Sequence, residues 1–258
     1  MTDHISVLSL NMHKGMTPLN RRLTVHQLGD MLQQHNSDIV FLQEVQGLHH
    51  RRASKFENWP AAGHAAYLAE CLAKEGIYGG NAFYPYGHHG NALICGFKLI
   101  NWRNIDISEN RLEKRGMLHC VYELPVSKRR LHAICVHLNL LAHDRRKQVA
   151  RLVEEIQHHV PNGEPLIMAG DFNDWRNEAS HVLLHDLGLT EVFQHLHGHL
   201  ARSFPARWPL LPLDRIYVKH VKIEHASVGK GKLWTRLSDH LPLMAKVNVQ
   251  KTPQPVKA

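Results

Sequence analysis

The chain has 258 residues, 43% hydrophobic and 21% charged, so it is long enough for a full core and too apolar for a disordered protein. Lysine and arginine number 31 against 23 acidic residues, and the net charge of +8 favours polyanionic partners such as nucleic acid or anionic lipid headgroups. The four cysteines lack CxxC spacing and no apolar run approaches the roughly 18 residues of a membrane span, which excludes a transmembrane protein and indicates a reduced, cytoplasmic-type one.

Short apolar runs and amphipathic segments predict strands and helices along the whole chain. The predicted strands are Ile5–Leu10, Ile39–Leu42, Ala92–Cys95, Leu118–Leu124, Leu131–Leu138, Leu166–Ala169, Asp214–Val218 and Leu243–Val249. The predicted helices are Thr24–His35, Ala62–Lys74, a helix from an N-cap at Asp144 to about His159, and one over about Glu178–Leu187. Helices lie between strands rather than in a separate block, and neighbouring strands read as hairpins. We therefore expect an α/β protein with mixed sheets covered by helices, in a single domain over residues 1–250 with a flexible tail at 251–258.

Polar residues follow several of the predicted strands. Asn11 comes directly after the first strand, and Glu44 comes two residues after the second. Asp171 and Asn173 follow the strand at Leu166–Ala169 and point to one side, because side chains alternate along an extended chain. A hard carboxylate ligand in such a place suits magnesium. The alternative for Asp171 and Asn173 is a turn that merely closes the strand.

Two further motifs combine carboxylates with an imidazole. Asp239 and His240 are adjacent in the sequence, and Asp214 supplies a second carboxylate that can hold a histidine in one tautomer and raise its basicity. The chain has 23 histidines, and most are expected to be surface or core residues because they lack zinc-site spacing. We single out His240 and His137.

Taken in order, these motifs resemble the endonuclease/exonuclease/phosphatase superfamily, which includes deoxyribonuclease I, exonuclease III, neutral sphingomyelinases and inositol polyphosphate phosphatases. The resemblance runs from about Ile5 to about Val249. Within the superfamily the chain is most similar to a little-characterised bacterial branch. The shared motifs are Asn11–Gly15, Tyr84–Ala92, Glu113–Gly116 and Gly170–Trp175.

The resemblance implies a deoxyribonuclease I-like four-layer sandwich, in which two mixed, mainly antiparallel β-sheets are flanked by helices and the site lies at one edge. It also implies a magnesium site, with manganese as the alternative. Glu44 would be the principal metal ligand, with Asn11 and Asp239 assisting.

The resemblance also assigns roles to the remaining candidates. Asp171 would orient or deprotonate the attacking water, Asn173 would contact the scissile phosphate, and His240, steadied by Asp214, would stabilise charge on the phosphoryl oxygens. His137 would be the general acid for the leaving oxygen, the alternative being a core histidine at a strand end. Asn91, Arg115 and Asn139 would bind substrate, although Arg115 has Glu113 or Asp106 as alternative partners in a surface ion pair.

These features together favour a monomeric, magnesium-dependent phosphodiesterase of nuclease type that acts by one-step attack of water on phosphorus. The alternative substrates are a phospholipid or sphingomyelin-like headgroup, on a peripheral anionic membrane, and a small phosphomonoester. The alternative of another class is a non-catalytic phosphate- or nucleic-acid-binding module. If the substrate is nucleic acid, the cluster Arg145–Lys147 is a candidate contact to its backbone.

Overall fold

The computed structural model describes residues 2–17 and 21–250, so the predicted tail at 251–258 lies outside the described residues. Its strands are β1 (Thr2–Asn11), β2 (Ile39–His49), β3 (Glu75–Tyr84), β4 (Gly87–Cys95), β5 (Lys98–Asp106), β6 (Gly116–Glu123), β7 (Arg130–His137), β8 (Leu166–Asp171), β9 (Thr190–Glu191), β10 (Asp214–Lys219), β11 (Lys222–Val228) and β12 (Leu243–Gln250). Its α-helices are α1 (Val25–His35), α2 (His50–Ala53), α3 (His64–Leu72), α4 (Ala142–His159), α5 (Glu178–Leu187), α6 (Val192–His197) and α7 (Trp234–Leu237).

The strands form two six-stranded sheets. The first sheet has the order β11-β12-β1-β2-β4-β3, and the second has the order β5-β6-β7-β8-β10-β9. In each sheet the described strands contain one parallel pair, β1 with β2 or β7 with β8, and the other neighbours are antiparallel. The predicted mixed, mainly antiparallel sheets are confirmed.

The two sheets pack face to face over a shared core, and helices cover their outer faces. Ile39 and Phe41 of β2 face this inner core with Leu118 of β6, whereas Val40 and Leu42 face the outer core under α1 and α3. A third cluster lies between the second sheet and helices α4 and α5. Central strands are therefore buried on both faces, which explains why they read as continuous apolar runs.

The four predicted helices are present as α1, α3, α4 and α5, and the short helices α2, α6 and α7 were not predicted. One predicted helix start is wrong. Helix α4 begins at Ala142 with Leu141 in the N-cap position, so the predicted N-cap at Asp144 is wrong. The Asp144 carboxylate instead accepts hydrogen bonds from the side chains of Asn110 and Asn139, which tie the helix to neighbouring loops. None of the helices in the described part of the chain is both long and apolar enough to span a membrane.

One end of the sandwich collects the polar motifs. The carboxyl ends of the parallel pairs lie there, because Asn11 pairs with Gln43 and His137 pairs with Asp171. The antiparallel strand β10 starts at the same end, with Asp214 opposite Asp171. Strand β12 also starts there, so the segment that precedes it is brought to this edge.

Candidate active site

The Asp171 carboxylate lies at the centre of the site. Its Oδ2 accepts a hydrogen bond from Asn11 Nδ2 at 3.0 Å. The same oxygen is 3.6 Å from His137 Nε2 and 3.8 Å from His240 Nε2. All four side chains are buried, so a proton exchanged between them is shielded from bulk water. Asp171 Oδ1 accepts from the Asn173 backbone N–H at 3.0 Å, which fixes the carboxylate plane.

His240 is held by a second buried carboxylate. Its Nδ1 lies 2.8 Å from Asp214 Oδ2, and the Ser203 hydroxyl donates to that same oxygen. The Phe204 ring packs against the imidazole with centroids 4.9 Å apart. His240 therefore has a fixed orientation with Nε2 directed toward Asp171.

Burial and charge set opposite protonation preferences in this cluster. Burial alone would lower the pKa of His240, but the carboxylates of Asp214 and Asp171 outweigh burial and raise the pKa to about 10. Burial raises the pKa of Asp171 to about 6, with His240 opposing the rise and Asp214 adding to it. At neutral pH the cluster thus holds an imidazolium next to a carboxylate whose pKa suits a general base.

His137 has the opposite charge state. Burial, together with the positive charge of Arg115, lowers the pKa of His137 well below its ordinary value. The imidazole is therefore neutral at neutral pH. A phosphate group bound between His137 and Arg115 would raise this pKa, because a nearby negative charge stabilises the imidazolium.

Glu44 forms a separate corner of the site. The register of β2 against β4 shifts between Leu42 and Val45, and Glu44 at this irregularity has a φ of 53°. Its Oε2 lies 3.2 Å from Lys14 Nζ. Burial would raise the pKa of Glu44, but Lys14 and His137 outweigh burial, and the pKa lies below its ordinary value. Glu44 is therefore ionised.

A tight turn carries two basic side chains, His13 and Lys14, to this corner. His13 and Lys14 have φ of 45° and 57°, and the following Gly15 packs so closely that an added Cβ would lie 2.8 Å from His64 Nδ1. The His13 backbone N–H donates to Asn11 Oδ1 at 3.1 Å, and His13 Nδ1 lies 3.2 Å from Asp239 Oδ1. The turn His13–Gly15 thus places an imidazole and an ammonium against the three predicted metal ligands.

The donor atoms of this corner fit a hard divalent cation. Glu44 and Asp239 supply carboxylates and Asn11 supplies a carboxamide, all of them oxygen ligands, and the buried Glu44 Oε2 lies in an ion pair with Lys14 Nζ. Asp171, Asp214 and His240 also place three ligand atoms within 4.8 Å of one another. That second group suits proton transfer better, because a protonated imidazole has no lone pair to offer a metal.

The side chains of Asn91 and Asn139, which were predicted to bind substrate, make hydrogen bonds within the protein. Asn91 Nδ2 donates to the carbonyls of Gly116 and Cys135, linking the two sheets. Asn139 bonds with Gln148 through its backbone N–H and its side chain. These bonds hold the mouth of the site together.

Asn173 and Arg115, two other predicted site residues, also have partners within the protein. Asn173 has a φ of 50°, and its Nδ2 donates to the Leu138 carbonyl at 2.9 Å, which joins the loops after β7 and β8. Arg115 pairs with Glu113 at 3.2 Å, one of the two alternatives drawn from the sequence. Its Nε is buried without a hydrogen-bond partner among the described residues.

The basic cluster Arg145–Lys147 differs from the prediction at Arg145. Arg145 is buried, donates to the carbonyls of Asn139 and Leu140, and lies 5.4 Å from the Trp175 ring. It therefore supports the loop and is not a surface cation. Arg146 and Lys147 are exposed and pair with Glu178 and Glu109.

Three side chains that contact the predicted cluster had no role assigned from the sequence. His13 and Lys14 were visible only as part of the motif Asn11–Gly15, since their contacts depend on the left-handed turn. Ser203 lies 11 residues before Asp214 in an irregular segment, and its sequence carries no signal for this contact.

Residues 8–240 match the family described as "Endonuclease/Exonuclease/phosphatase family". The chain is 43% identical over 243 residues to "Uncharacterized protein YbhP" of Escherichia coli (strain K12), which covers 94% of this chain and 96% of the relative.

Solved structures share the fold. An endonuclease/exonuclease/phosphatase from Beutenbergia cavernae DSM 12333 has a TM-score of 0.79 at 17% identity, covering 96% of this chain and 72% of that chain. D. rerio TDP2 complexed with single strand DNA product has a TM-score of 0.70 at 19% identity, covering 95% of this chain and 98% of that chain. The four-layer sandwich predicted from the sequence is therefore confirmed.

Proposed function

Because this chain belongs to the endonuclease/exonuclease/phosphatase family, we propose that it is a magnesium-dependent phosphodiesterase in which water attacks phosphorus in one step. The observation that carries the proposal is the convergence of Asn11, His137 and His240 on one buried oxygen of Asp171. A carboxylate with a pKa of about 6 next to an imidazolium is suited to take a proton from water at neutral pH.

Glu44, Asp239 and Asn11 would hold the magnesium ion, with manganese as the alternative. When bound, the ion would supply charge neutralisation and polarisation at the phosphoryl group. Asp239 has the electrostatic character that this role needs. Burial would raise its pKa, but His13 and His240 outweigh burial, and the pKa lies below its ordinary value.

The chain's own residues would carry the proton movements. Asp171 takes a proton from the attacking water while the water oxygen forms a bond to phosphorus. Asn173 helps to orient the phosphate. His240, held by Asp214, stabilises the negative charge on the phosphoryl oxygens. The bond from phosphorus to the leaving oxygen breaks, and that oxygen takes a proton from His137. The products are an alcohol and a phosphomonoester.

For His137 to donate, substrate binding must first raise its pKa. The positive charge of Arg115 is one cause of the lowered His137 pKa, and we propose that both side chains contact the same phosphate. The negative charge of that phosphate offsets Arg115 and favours protonation of His137. Asn91 and Asn139 are proposed to act on substrate through the loops that they hold.

The substrate class is either a nucleic acid strand or another phosphodiester. The net charge of +8 and the structural neighbour TDP2, solved with a single-stranded DNA product, support a nuclease-type activity. A lipid headgroup diester and a small phosphomonoester are the alternative substrates.

The decisive experiment combines metal binding with turnover. We expect wild-type protein to hydrolyse bis(p-nitrophenyl) phosphate with magnesium and to stop when the metal is chelated. Glu44→Gln should lose magnesium binding, measured by calorimetry, together with turnover, while its circular dichroism spectrum is unchanged because the side chains are nearly isosteric.

The matched control is Glu70→Gln, which changes an exposed carboxylate on α3. Full activity of Glu44→Gln at saturating magnesium would remove Glu44 from metal binding. Activity of the wild-type protein in chelator would refute metal dependence. The same assay with single-stranded DNA, single-stranded RNA, phosphatidylglycerol, sphingomyelin and p-nitrophenyl phosphate would identify the substrate class.

A further inference from the structure

Exposed large apolar side chains are concentrated at the catalytic end of the sandwich. Seven of them lie on the loops after β7 and β8, on the loop before β10 and at the start of α7: Leu140, Leu141, Trp175, Trp208, Leu210, Leu211 and Leu233. We call these seven the apolar rim. At the opposite end, the described loops between strands and helices expose one large apolar side chain, Val126. Both ends of the sandwich consist of connecting loops, so the fold alone does not explain why exposed apolar side chains are concentrated at the end that carries the site.

The apolar rim is attached directly to catalytic segments. Leu140 and Leu141 follow Asn139, and Trp175 lies two residues after Asn173. Together they form the first side of the mouth, because Arg145 bonds the Leu140 carbonyl and lies over the Trp175 ring.

The second side of the mouth is carried by the loop before β10 and by the start of α7. Ala206 donates its backbone N–H to the Asp239 carbonyl, which places neighbouring Trp208 near the site. Trp208, 76% exposed, and Leu233, 58% exposed, line a cleft of about 1230 Å³ that reaches Asp239. The cleft therefore joins the apolar rim to the proposed metal corner.

Cations are interleaved with these apolar side chains. Arg22, Arg207 and Arg236 line the same cleft, and Lys230 and Lys232 are exposed just before Leu233. Exposed leucine and tryptophan among arginine and lysine is the composition of surfaces that insert shallowly into anionic membranes. Tryptophan prefers the headgroup region, where its ring is half apolar and half hydrated.

We propose that the apolar rim docks the catalytic end of this protein on an anionic lipid bilayer. The leucines of the apolar rim favour a bilayer over a nucleic acid strand as its partner. A single strand binds by stacking its bases on aromatic rings, and five of the seven rim residues are leucines, which have no π-face to offer. A bilayer gains from each inserted leucine by burying apolar area. That the docked site then hydrolyses a headgroup diester rests on the proposed function.

Binding to vesicles tests the docking surface without turnover. The protein is sedimented in chelator with vesicles of phosphatidylcholine, with or without phosphatidylglycerol. We expect binding to the phosphatidylglycerol-containing vesicles alone. The variants Leu140→Ser with Leu141→Ser, and Trp208→Ser with Leu233→Ser, should each lower the partition coefficient by about tenfold or more.

The matched control is Leu184→Ser on α5, since Leu184 and Leu233 are both 58% exposed. It should bind vesicles like the wild type. Thermal unfolding of every variant checks the fold, and all the changed side chains are exposed. The inference is overturned if wild-type protein ignores both vesicles, or if the two rim variants bind as the wild type does. It is also overturned if the rim variants lose affinity for a single-stranded oligonucleotide while no vesicle is bound.

The two proposals fail separately. Hydrolysis of the soluble diester without vesicle binding would leave the phosphodiesterase standing and remove the docking surface. Rim-dependent vesicle binding without magnesium-dependent hydrolysis would do the reverse.

Discussion

At the scale of single residues, the buried cluster has more negative than positive charge. Asp171 and Asp214 both lie next to one imidazole, that of His240. Burying a carboxylate without a partner is costly, so the cluster retains protons that the same groups would lose in water. The raised pKa values of both Asp171 and His240 follow from this imbalance.

The pH dependence of turnover should show the titration of both Asp171 and His240. Asp171 accepts a proton only when ionised, so the rate should fall as the pH decreases through about 6, the pKa to which burial raises this carboxyl. His240 stabilises charge only when protonated, so the rate should fall again as the pH rises through about 10. The measurement is kcat/KM for the soluble diester against pH. A rate that stayed constant down to about pH 4, the ordinary range of an aspartate, would contradict the role of Asp171.

The role of His137 can be tested through the leaving group. A general acid contributes about 10²–10⁴-fold, so His137→Ala should lose rate on this order with an alkyl diester. The loss should be much smaller with nitrophenol, which leaves without a proton. His199→Ala, a change at an exposed histidine, is the control. Equal losses on both substrates would show that His137 only packs or binds.

The site residues that could be predicted from the sequence are those at the ends of predicted strands. Asn11, Asp171 and Asp214 occupy strand ends, and the alternation of strand residues indicates which side they face. The contacts of Lys14 were not predictable, because they depend on a left-handed turn. Arg145 was misread because a charged run usually faces water, whereas its guanidinium is buried under loop carbonyls.

At the scale of elements, the predictability of a strand depended on its burial. All eight predicted strands are present, and most of them are buried on both faces. Strands β3, β5, β9 and β11 were not predicted, and all four lie at sheet edges. Strand β9 has only two residues. The side chains of the other three are mostly exposed or half-buried, so their sequences carry little apolar pattern. The edges of both sheets therefore came from the structure alone.

The packing of β8 against β7 makes a specific prediction about glycine. An added Cβ at Gly170 would lie 1.9 Å from the Val136 carbonyl oxygen, so Gly170→Ala must push the parallel pair apart. We expect the free energy of unfolding to fall by about 1–3 kcal/mol or more. Turnover should fall as well, because Asp171 is the next residue. The measurement is urea unfolding at constant pH.

Gly163→Ala is the control for this change. Gly163 has a φ of +87° with no atom within 4 Å of an added Cβ, so its substitution costs only the left-handed backbone, about 1–2 kcal/mol. A smaller loss for Gly170→Ala than for Gly163→Ala would contradict the close packing of β7 and β8.

At the scale of the whole molecule, one core serves both sheets. Phe41 and Val247 of the first sheet share a cluster with Tyr122 and Ile216 of the second. Neither sheet can lose this interface without exposing the inner face of the other. The protein should therefore behave as one cooperative unit, as a single domain would.

Coincident unfolding transitions are the corresponding test. Far-ultraviolet circular dichroism reports the sheets and helices, and fluorescence reports tryptophans on both sides, including Trp234 by the first sheet and Trp102 in the second. The two signals should give one midpoint in urea. Two separated midpoints would show that the sheets unfold independently.

The strand orders of the two sheets have a consequence for how the chain can be cut. Thr2 pairs with Gln250, so a short linker could join these ends, and new ends could be opened in the turn between Cys95 and Lys98. In such a circular permutant every strand of the second sheet precedes every strand of the first. The permuted gene could then be divided into two polypeptides, one carrying His137, Asp171 and Asp214, the other carrying Asn11, Glu44 and His240. Neither fragment contains both the base and its imidazolium, so complementation between them would restore turnover only when the two sheets assemble.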